Sequence, residues 1–455
     1  MQIAPTPADG FDLEVQTLII GAGACGMVAA LAAKEASQAV LVIEADSLPR
    51  GSTALSAGLI PAAGTRFQRN SGITDDPLVF GADIQRKAHD ENDPELVTAL
   101  ADGSGPAIEW LADRFGLPFS VVTDFDYPGH SARRMHGLPT RSGAELVDRL
   151  RQTCEAEGID IICERRATVL HHEGRRISGV TVALPDGSTE RIGCARLILA
   201  CNGFGGNRAM VAEHMPAIAD ALWFGHDGNR GEAVLWGQAL GATARHLGAY
   251  QGHGNVAHPH GILITWAVIT EGGVQVNLEG HRFWNEAQGY SEAARAVMGQ
   301  PEGQAWVIFD ARIAGIARQF ADFRAAEVQG AVKTADTVAN LAAVTGLPDT
   351  ALADTLANIP NSGTDAFGRS FRTPPLSPPY AAVRVTGALF HTQGGLDVTG
   401  KGRVRHKSGA VFPNLYAAGG AACGVSGKSD SGYLSGNGLL SAVVLGRAAG
   451  MDWPD

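Results

Sequence analysis

The chain has 455 residues, 45% of them hydrophobic and 18% charged, enough for roughly two to three domain equivalents and a sizeable core. Its 36 basic and 47 acidic residues give a formal charge of −11, which argues against an electrostatic nucleic-acid binder, because phosphate neutralisation needs clustered excess Lys and Arg. Glycine is the outlier at 58 residues; with no G-X-Y period the excess excludes collagen and points to tight turns and close backbone approaches.

In chain order, the first predicted strand covers about Leu13 to Ile20. A turn at Gly21-Ala-Gly23 and a small-residue helix through Ala36 follow, and then a β-branched run ending at Glu44, which makes a compact βαβ unit. The segments Asp83 to Phe115 and Gly143 to Glu157 read as helices. Further strands are predicted at Thr168 to Leu170, Ile177 to Leu184 and Arg196 to Ala200. From His246 to Arg372 the character changes to a His-rich stretch followed by a helix-rich run. The Pro-rich Thr373 to Tyr380 then leads back to strand and glycine-loop signals. The expected architecture is α/β: a Rossmann-type nucleotide-binding domain in two segments, 1–245 and 373–455, with an α+β capping domain, 246–372, inserted between them. Six scattered cysteines without a C-x-x-C pair fit a reducing compartment. With neither a signal-like start nor an apolar run of about 18 residues, a cytoplasmic protein without a membrane span is expected.

Gly21-Ala-Gly23-Ala-Cys-Gly26 matches G-x-G-x-x-G, a pattern expected about once by chance in a chain this rich in glycine. Its context gives it meaning: it follows a strand, opens a helix, and Glu44 ends the next strand, where a carboxylate can hold a ribose hydroxyl. The glycines let the backbone approach a pyrophosphate whose charge the helix N-terminus stabilises. A glutamate rather than a basic residue at this place disfavours a 2′-phosphate and leaves NAD or FAD.

Six ordered segments carry a resemblance to the fumarate reductase and 3-ketosteroid dehydrogenase flavoprotein superfamily. Gly51-Ser-Thr-Ala-Leu-Ser-Ala-Gly58 resembles the loop that passes the flavin ring. Leu199-Ala-Cys-Asn-Gly-Phe-Gly205 is similar to the family's A-T-G-G-F strand end, and Gly280-His-Arg-Phe-Trp-Asn-Glu286 to its G-x-R-F-x-N-E. His391-Thr-Gln-Gly-Gly395, Leu415-Tyr-Ala-Ala-Gly419 and Gly436-Asn-Gly-Leu-Leu-Ser441 complete the set. The resemblance implies FAD held by Gly21, Gly23, Gly26, Glu44, Ser52, Thr53, Ser56, Ala57, Gly58, Ala200, Gly203, Gly419, Leu440 and Ser441. It also implies that the FAD is non-covalent, because Ser52 stands where relatives that tether their flavin carry a histidine. Gly420 departs from the pattern, since many relatives have Glu there.

By the same resemblance, the proton-donating and carboxylate-clamping arginines of fumarate reductases fall at Tyr290 and Tyr433. A guanidinium keeps its proton above about pH 12 and clamps a dianion. A phenol, with a pKa near ~10, instead hydrogen-bonds a carbonyl or its enolate and can accept a proton if its pKa is lowered. Tyr433-Leu-Ser435-Gly436 is similar to the Y-x-S-G variant of ketosteroid dehydrogenases that act on the 4,5 side of ring A. The implied reaction is α,β-desaturation of a ketone, with Tyr290, Tyr433 and Ser435 sharing proton transfer and enolate stabilisation, and with either tyrosine as the base. His391, Arg141 and Gly436 are the expected substrate contacts. Arg133, Arg134 and His136 lie in the same stretch as Arg141, and any of the four could meet a substrate carboxylate. His253, His258 and His260 read as loop residues, and no metal is expected. The expected partners are a small-molecule ketone and an electron acceptor of unspecified kind. Two other readings are a fumarate- or tricarballylate-type dicarboxylate enzyme using His391, and a flavin redox module without an organic substrate.

Overall fold

A computed structural model describes residues 2–36, 38–124 and 127–453. The chain forms two compact units: 1–210 with 225–250 and 391–455, and 211–224 with 251–390.

The first unit is built on a nine-stranded sheet. Leu13–Ile20 lies between Val40–Ile43 and Thr189–Leu199 and runs parallel to both, and Thr189–Leu199 also pairs in parallel with Val411–Ala417. The last residues of Leu13–Ile20 are all buried. This is the pattern of a parallel strand covered on both faces, which needs a continuous apolar run rather than an alternating one. Helix Ala24–Glu35 follows at once and buries every residue from Ala24 to Ala33. Its small side chains permit close packing: a Cβ on Gly450 would lie 2.3 Å from the Ala29 carbonyl oxygen. Arg166–Glu173, Arg176–Ala183 and Thr189–Leu199 form an antiparallel meander on the same sheet. One core runs from Leu18 to Ala449, so both sequence segments share it. The expected α/β nucleotide-binding fold is therefore found.

The second unit has a seven-stranded sheet in which Tyr380–Thr392 pairs with Gln304–Asp310, Val332–Ala335 and Leu222–Trp223. Along Gln304–Asp310, Ala305, Val307 and Phe309 enter one apolar cluster, while Trp306 and Ile308 enter another on the opposite face. That is the two-residue period of a strand buried on both sides. The helix-rich run expected here is interrupted by this buried strand. The single helix expected over Asp83 to Phe115 is likewise two, Pro77–Lys87 and Pro94–Phe115; the Asp93 carboxylate caps the second by accepting from the Glu95 and Leu96 amides.

Candidate active site

In the first unit, Gly21, Gly23 and Gly26 do three different jobs. Gly21 has φ +105°, and a Cβ there would lie 2.5 Å from the Ala200 carbonyl oxygen. At Gly26 a Cβ would lie 1.8 Å from the Gly21 carbonyl oxygen, so this glycine closes helix onto strand. Around Gly23, the N-cap of Ala24–Glu35, a Cβ would meet only Thr53 Oγ1, at 3.4 Å. Its outer side is open, which is the cradle a pyrophosphate needs at a helix N-terminus. Glu44 accepts from the Ala22 amide at 2.8 Å through one oxygen and from the Asp46 amide at 3.0 Å through the other, so the carboxylate is held beside the turn. These residues fit a dinucleotide.

The Gly51 to Gly58 segment is pinned to the same place. Thr53 Oγ1 accepts from the Ala24 amide at 3.1 Å. Ser56 donates its hydroxyl to the Thr53 carbonyl and accepts from the Gly58 amide, and Ala57 is exposed. Gly203 abuts Thr392, where a Cβ would come within 1.8 Å of Oγ1. Leu440 and Ser441 are buried, and Ser441 opens a π-helical turn, Ser441–Leu445. Its hydroxyl reaches the carbonyl of Gly419, which has φ +59°.

A polar chain that sequence reasoning did not assemble runs beside these residues. Asn202 and Asn229 both donate side-chain amide protons to Ser52 Oγ, at 2.9 and 2.8 Å. His391 Nε2 donates to Asn202 Oδ1 at 2.8 Å, and its Nδ1 accepts from Gln393 at 2.9 Å. Gln393 in turn accepts from Ser426, which accepts from Asn437. Part of His391 is accessible, yet desolvation of the ring lowers its pKa to about 4 and keeps it neutral. The Asn437 Oδ1 atom is buried with no partner among the described residues, an acceptor suited to a ligand donor.

Tyr433 and Ser435 are buried in the same unit. Gly436 has φ +90°, and a Cβ there would lie 2.6 Å from Pro61. The Ser435 carbonyl accepts from His130 Nε2 at 2.9 Å, while His130 Nδ1 accepts from Arg134 at 3.1 Å. Arg134 is itself buried between Asp75, at 2.8 Å, and Asp83, at 2.5 Å. His136 is buried against Thr65 and the Arg134 carbonyl. Arg133 donates to the Thr123 carbonyl, and Arg141 forms an exposed pair with Asp124 at 2.7 Å. Of the basic residues expected near a substrate, Arg134 and His136 thus serve the interior and Arg141 a surface pair.

In the second unit, Tyr290 opens helix Tyr290–Met298 after Gly289, whose φ is +137°. Its ring stacks on His253 with centroids 5.1 Å apart and meets the Trp266 ring edgewise at 6.3 Å. His253 is 6% exposed, and its Nδ1 accepts from the Asn255 amide at 3.1 Å. That bond leaves Nε2–H as the donor, and burial lowers the ring's pKa to about 3. His253, expected to be a loop residue, lies instead on the strand Tyr250–Ala257 against the tyrosine. The R-F-x-N-E motif builds the support: Glu286 takes Arg282 at 2.5 Å, Arg369 at 3.1 Å and the Gln275 amide at 3.0 Å. His258 faces Gln304. Among the described residues no group of three or more His, Cys, Asp or Glu could hold a metal ion, and no helix is long and apolar enough to cross a membrane.

Comparison with known proteins agrees with this construction. Residues 16–439 match the family model described as an FAD binding domain. A probable fumarate reductase of Shewanella frigidimarina is 32% identical over 96% of this chain and 74% of its own length. The open conformation of a flavocytochrome c3 fumarate reductase superposes with a TM-score of 0.83 at 30% identity, covering 98% of this chain and 78% of the other. A 3-ketosteroid-Δ4-(5α)-dehydrogenase of Rhodococcus jostii, in complex with 4-androstene-3,17-dione, gives a TM-score of 0.80 at 26% identity over 99% of both chains. With the glycine cradle and Glu44 in place, the chain belongs to the FAD-binding-domain family of fumarate reductases and ketosteroid dehydrogenases, as an FAD-dependent oxidoreductase acting on carbon–carbon single and double bonds.

Proposed function

We propose that the protein is a dehydrogenase that introduces a double bond α,β to a ketone, in a ketosteroid-like or smaller cyclic oxo compound. The observation that carries this reading is the phenol at 290, seated on His253 and Trp266, at the position to which the motif resemblance assigns the proton-donating arginine of fumarate reductases. By the same resemblance a second phenol, Tyr433, falls at the position of the clamping arginine. Removal of the α-proton is the difficult step, because an unactivated ketone is a very weak acid and its enolate must be stabilised as it forms. Tyr290 and Tyr433 divide that work: one phenolate accepts the α-proton and the other phenol donates to the carbonyl oxygen. Ser435 assists, and the Nε2–H of His253 is a further neutral donor suited to an enolate oxygen. FAD, when bound without a covalent link, supplies the acceptor for the β-hydrogen as hydride. Turnover would require an electron acceptor for the flavin once it is reduced.

A dicarboxylate substrate is the second reading, favoured by the 32% identity to a probable fumarate reductase. Against it, the ring nitrogens of His391 are both engaged inside the first unit, and Arg134 and Arg141 are each paired with carboxylates. Anaerobic mixing separates the two. Cyclic ketones should bleach the oxidised flavin, and Tyr290→Phe and Tyr433→Phe should each slow that bleaching by about 100- to 10,000-fold while FAD stays bound. Reoxidation of reduced enzyme by fumarate-like acids, with no response to ketones, would establish the second reading. A flavin indifferent to both panels would leave a redox module.

A further inference from the structure

The side-chain hydrogen bonds from Asn437 to Ser52 all point the same way. Asn437 donates to Ser426, Ser426 to Gln393, Gln393 to His391 Nδ1, His391 Nε2 to Asn202, and Asn202 to Ser52. Asn229 donates to Ser52 as well. Both lone pairs of the Ser52 oxygen are then filled, and among the described residues its own proton has no acceptor. Each donor in such a chain polarises the next, so the last hydroxyl is a stronger donor than an isolated serine.

Two departures from the family's motifs make the chain possible. Asn202 stands where A-T-G-G-F has its first glycine, and Gly420 stands where many relatives have Glu. They are sterically coupled: a Cβ at Gly420 would lie 2.1 Å from Asn202 Oδ1 and 2.8 Å from His391 Nε2. The site has exchanged one acidic side chain for a neutral, directed one.

We infer that the Asn437–Ser426–Gln393–His391–Asn202 chain is a one-way hydrogen-bond relay that fixes Ser52 as a proton donor to the bound FAD, with His391 a positioning residue for the cofactor rather than a ligand for a substrate carboxylate. The inference rests on the FAD site alone and survives or fails independently of the ketone reading.

The test uses substrate-free holoenzyme and reads the flavin absorption spectrum and the rate of FAD release. Ser52→Ala, in a short half-exposed helical turn that tolerates alanine, should release FAD about 5- to 10-fold faster and shift the spectrum, as expected for one lost directed hydrogen bond. Ser52→Thr keeps the hydroxyl and should behave as the natural protein. His391→Leu and Gly420→Ala should each reproduce the Ser52→Ala phenotype, and the double variant Ser52→Ala/His391→Leu should add nothing further. Additive effects in that double variant would overturn the relay. So would an unchanged spectrum and release rate in Ser52→Ala. A His391→Leu protein whose substrate-free flavin is normal, but whose affinity for a dicarboxylate inhibitor collapses, would return His391 to the substrate.

Discussion

Single atoms decide the cofactor turn, and two of its glycines make opposite predictions. Gly23→Ala places its Cβ in open space next to Thr53. The variant should fold with normal thermal stability yet lose FAD on dialysis, because the methyl occupies the approach that a pyrophosphate needs. Gly26→Ala drives a methyl to 1.8 Å from the Gly21 carbonyl oxygen, so here folding itself should fail, seen as insoluble or protease-sensitive protein. Glu44→Ala removes the acceptor for the Ala22 and Asp46 amides together with the ribose contact proposed for this carboxylate. Equilibrium FAD titration should show affinity reduced by roughly 10-fold or more, in line with the cost of a lost charged hydrogen bond. Identical FAD binding in the natural and Glu44→Ala proteins would remove the ribose assignment.

Among the elements, the buried Asp75–Arg134–Asp83 cluster supports the segment that carries Tyr433. Arg134 orients His130, and His130 holds the Ser435 carbonyl two residues beyond Tyr433. Arg134→Met takes the buried guanidinium from both carboxylates, leaving Asp83 only the exposed Arg86, which should cost about 3–5 kcal/mol in denaturant unfolding and lower turnover more than FAD content. The acid response follows from Asp83. Burial alone would raise its pKa, but hydrogen bonds from the Ser131 amide, Arg134, the Ser131 hydroxyl and Arg86 outweigh it and bring the value to about 2. A folded-state pKa below the unfolded value of about 3.9 stabilises the fold fully above that value and loses this contribution as pH falls from ~4 to ~2. Arg134→Met should therefore flatten the stability profile across this window.

This cluster was not legible in the sequence as a cluster, because Asp75, Asp83, His130 and Arg134 are ordinary polar letters until two loops and a helix bring them together. The Rossmann turn was legible, since strand, glycines, helix and Glu44 are all local. Asn202 and Gln393 lay inside recognised motifs, but Asn202 meets His391 from 189 residues away and Gln393 meets Ser426 from 33. The strand Gln304–Asp310 was hidden for a different reason: buried on both faces, it shows no alternation to separate it from the helices around it.

Across the whole molecule, histidine burial sets the response to mild acid. His130 and His136 in the first unit are lowered to about 4 by burial, His391 likewise to about 4, and His253 in the second unit to about 3. In the unfolded chain each titrates near ~6.5. Between that value and the folded pKa the unfolded state binds the extra proton, so stability falls as pH decreases, by about 1.4 kcal/mol per pH unit for each histidine. Above about pH 6.5 the four contribute no pH dependence. Three of them belong to the first unit and one to the second, so the two units should lose stability at different rates. Calorimetry of the holoenzyme between pH 7 and pH 4.5 should show the transition of the first unit moving to lower temperature more steeply than that of the second. Substituting His136→Gln, which touches neither the relay nor the phenols, should reduce the slope of the first unit by about one proton and leave the second unchanged. Equal slopes for both transitions would mean that the buried rings do not control the acid limb, since the Asp83 contribution is lost only below about pH 4.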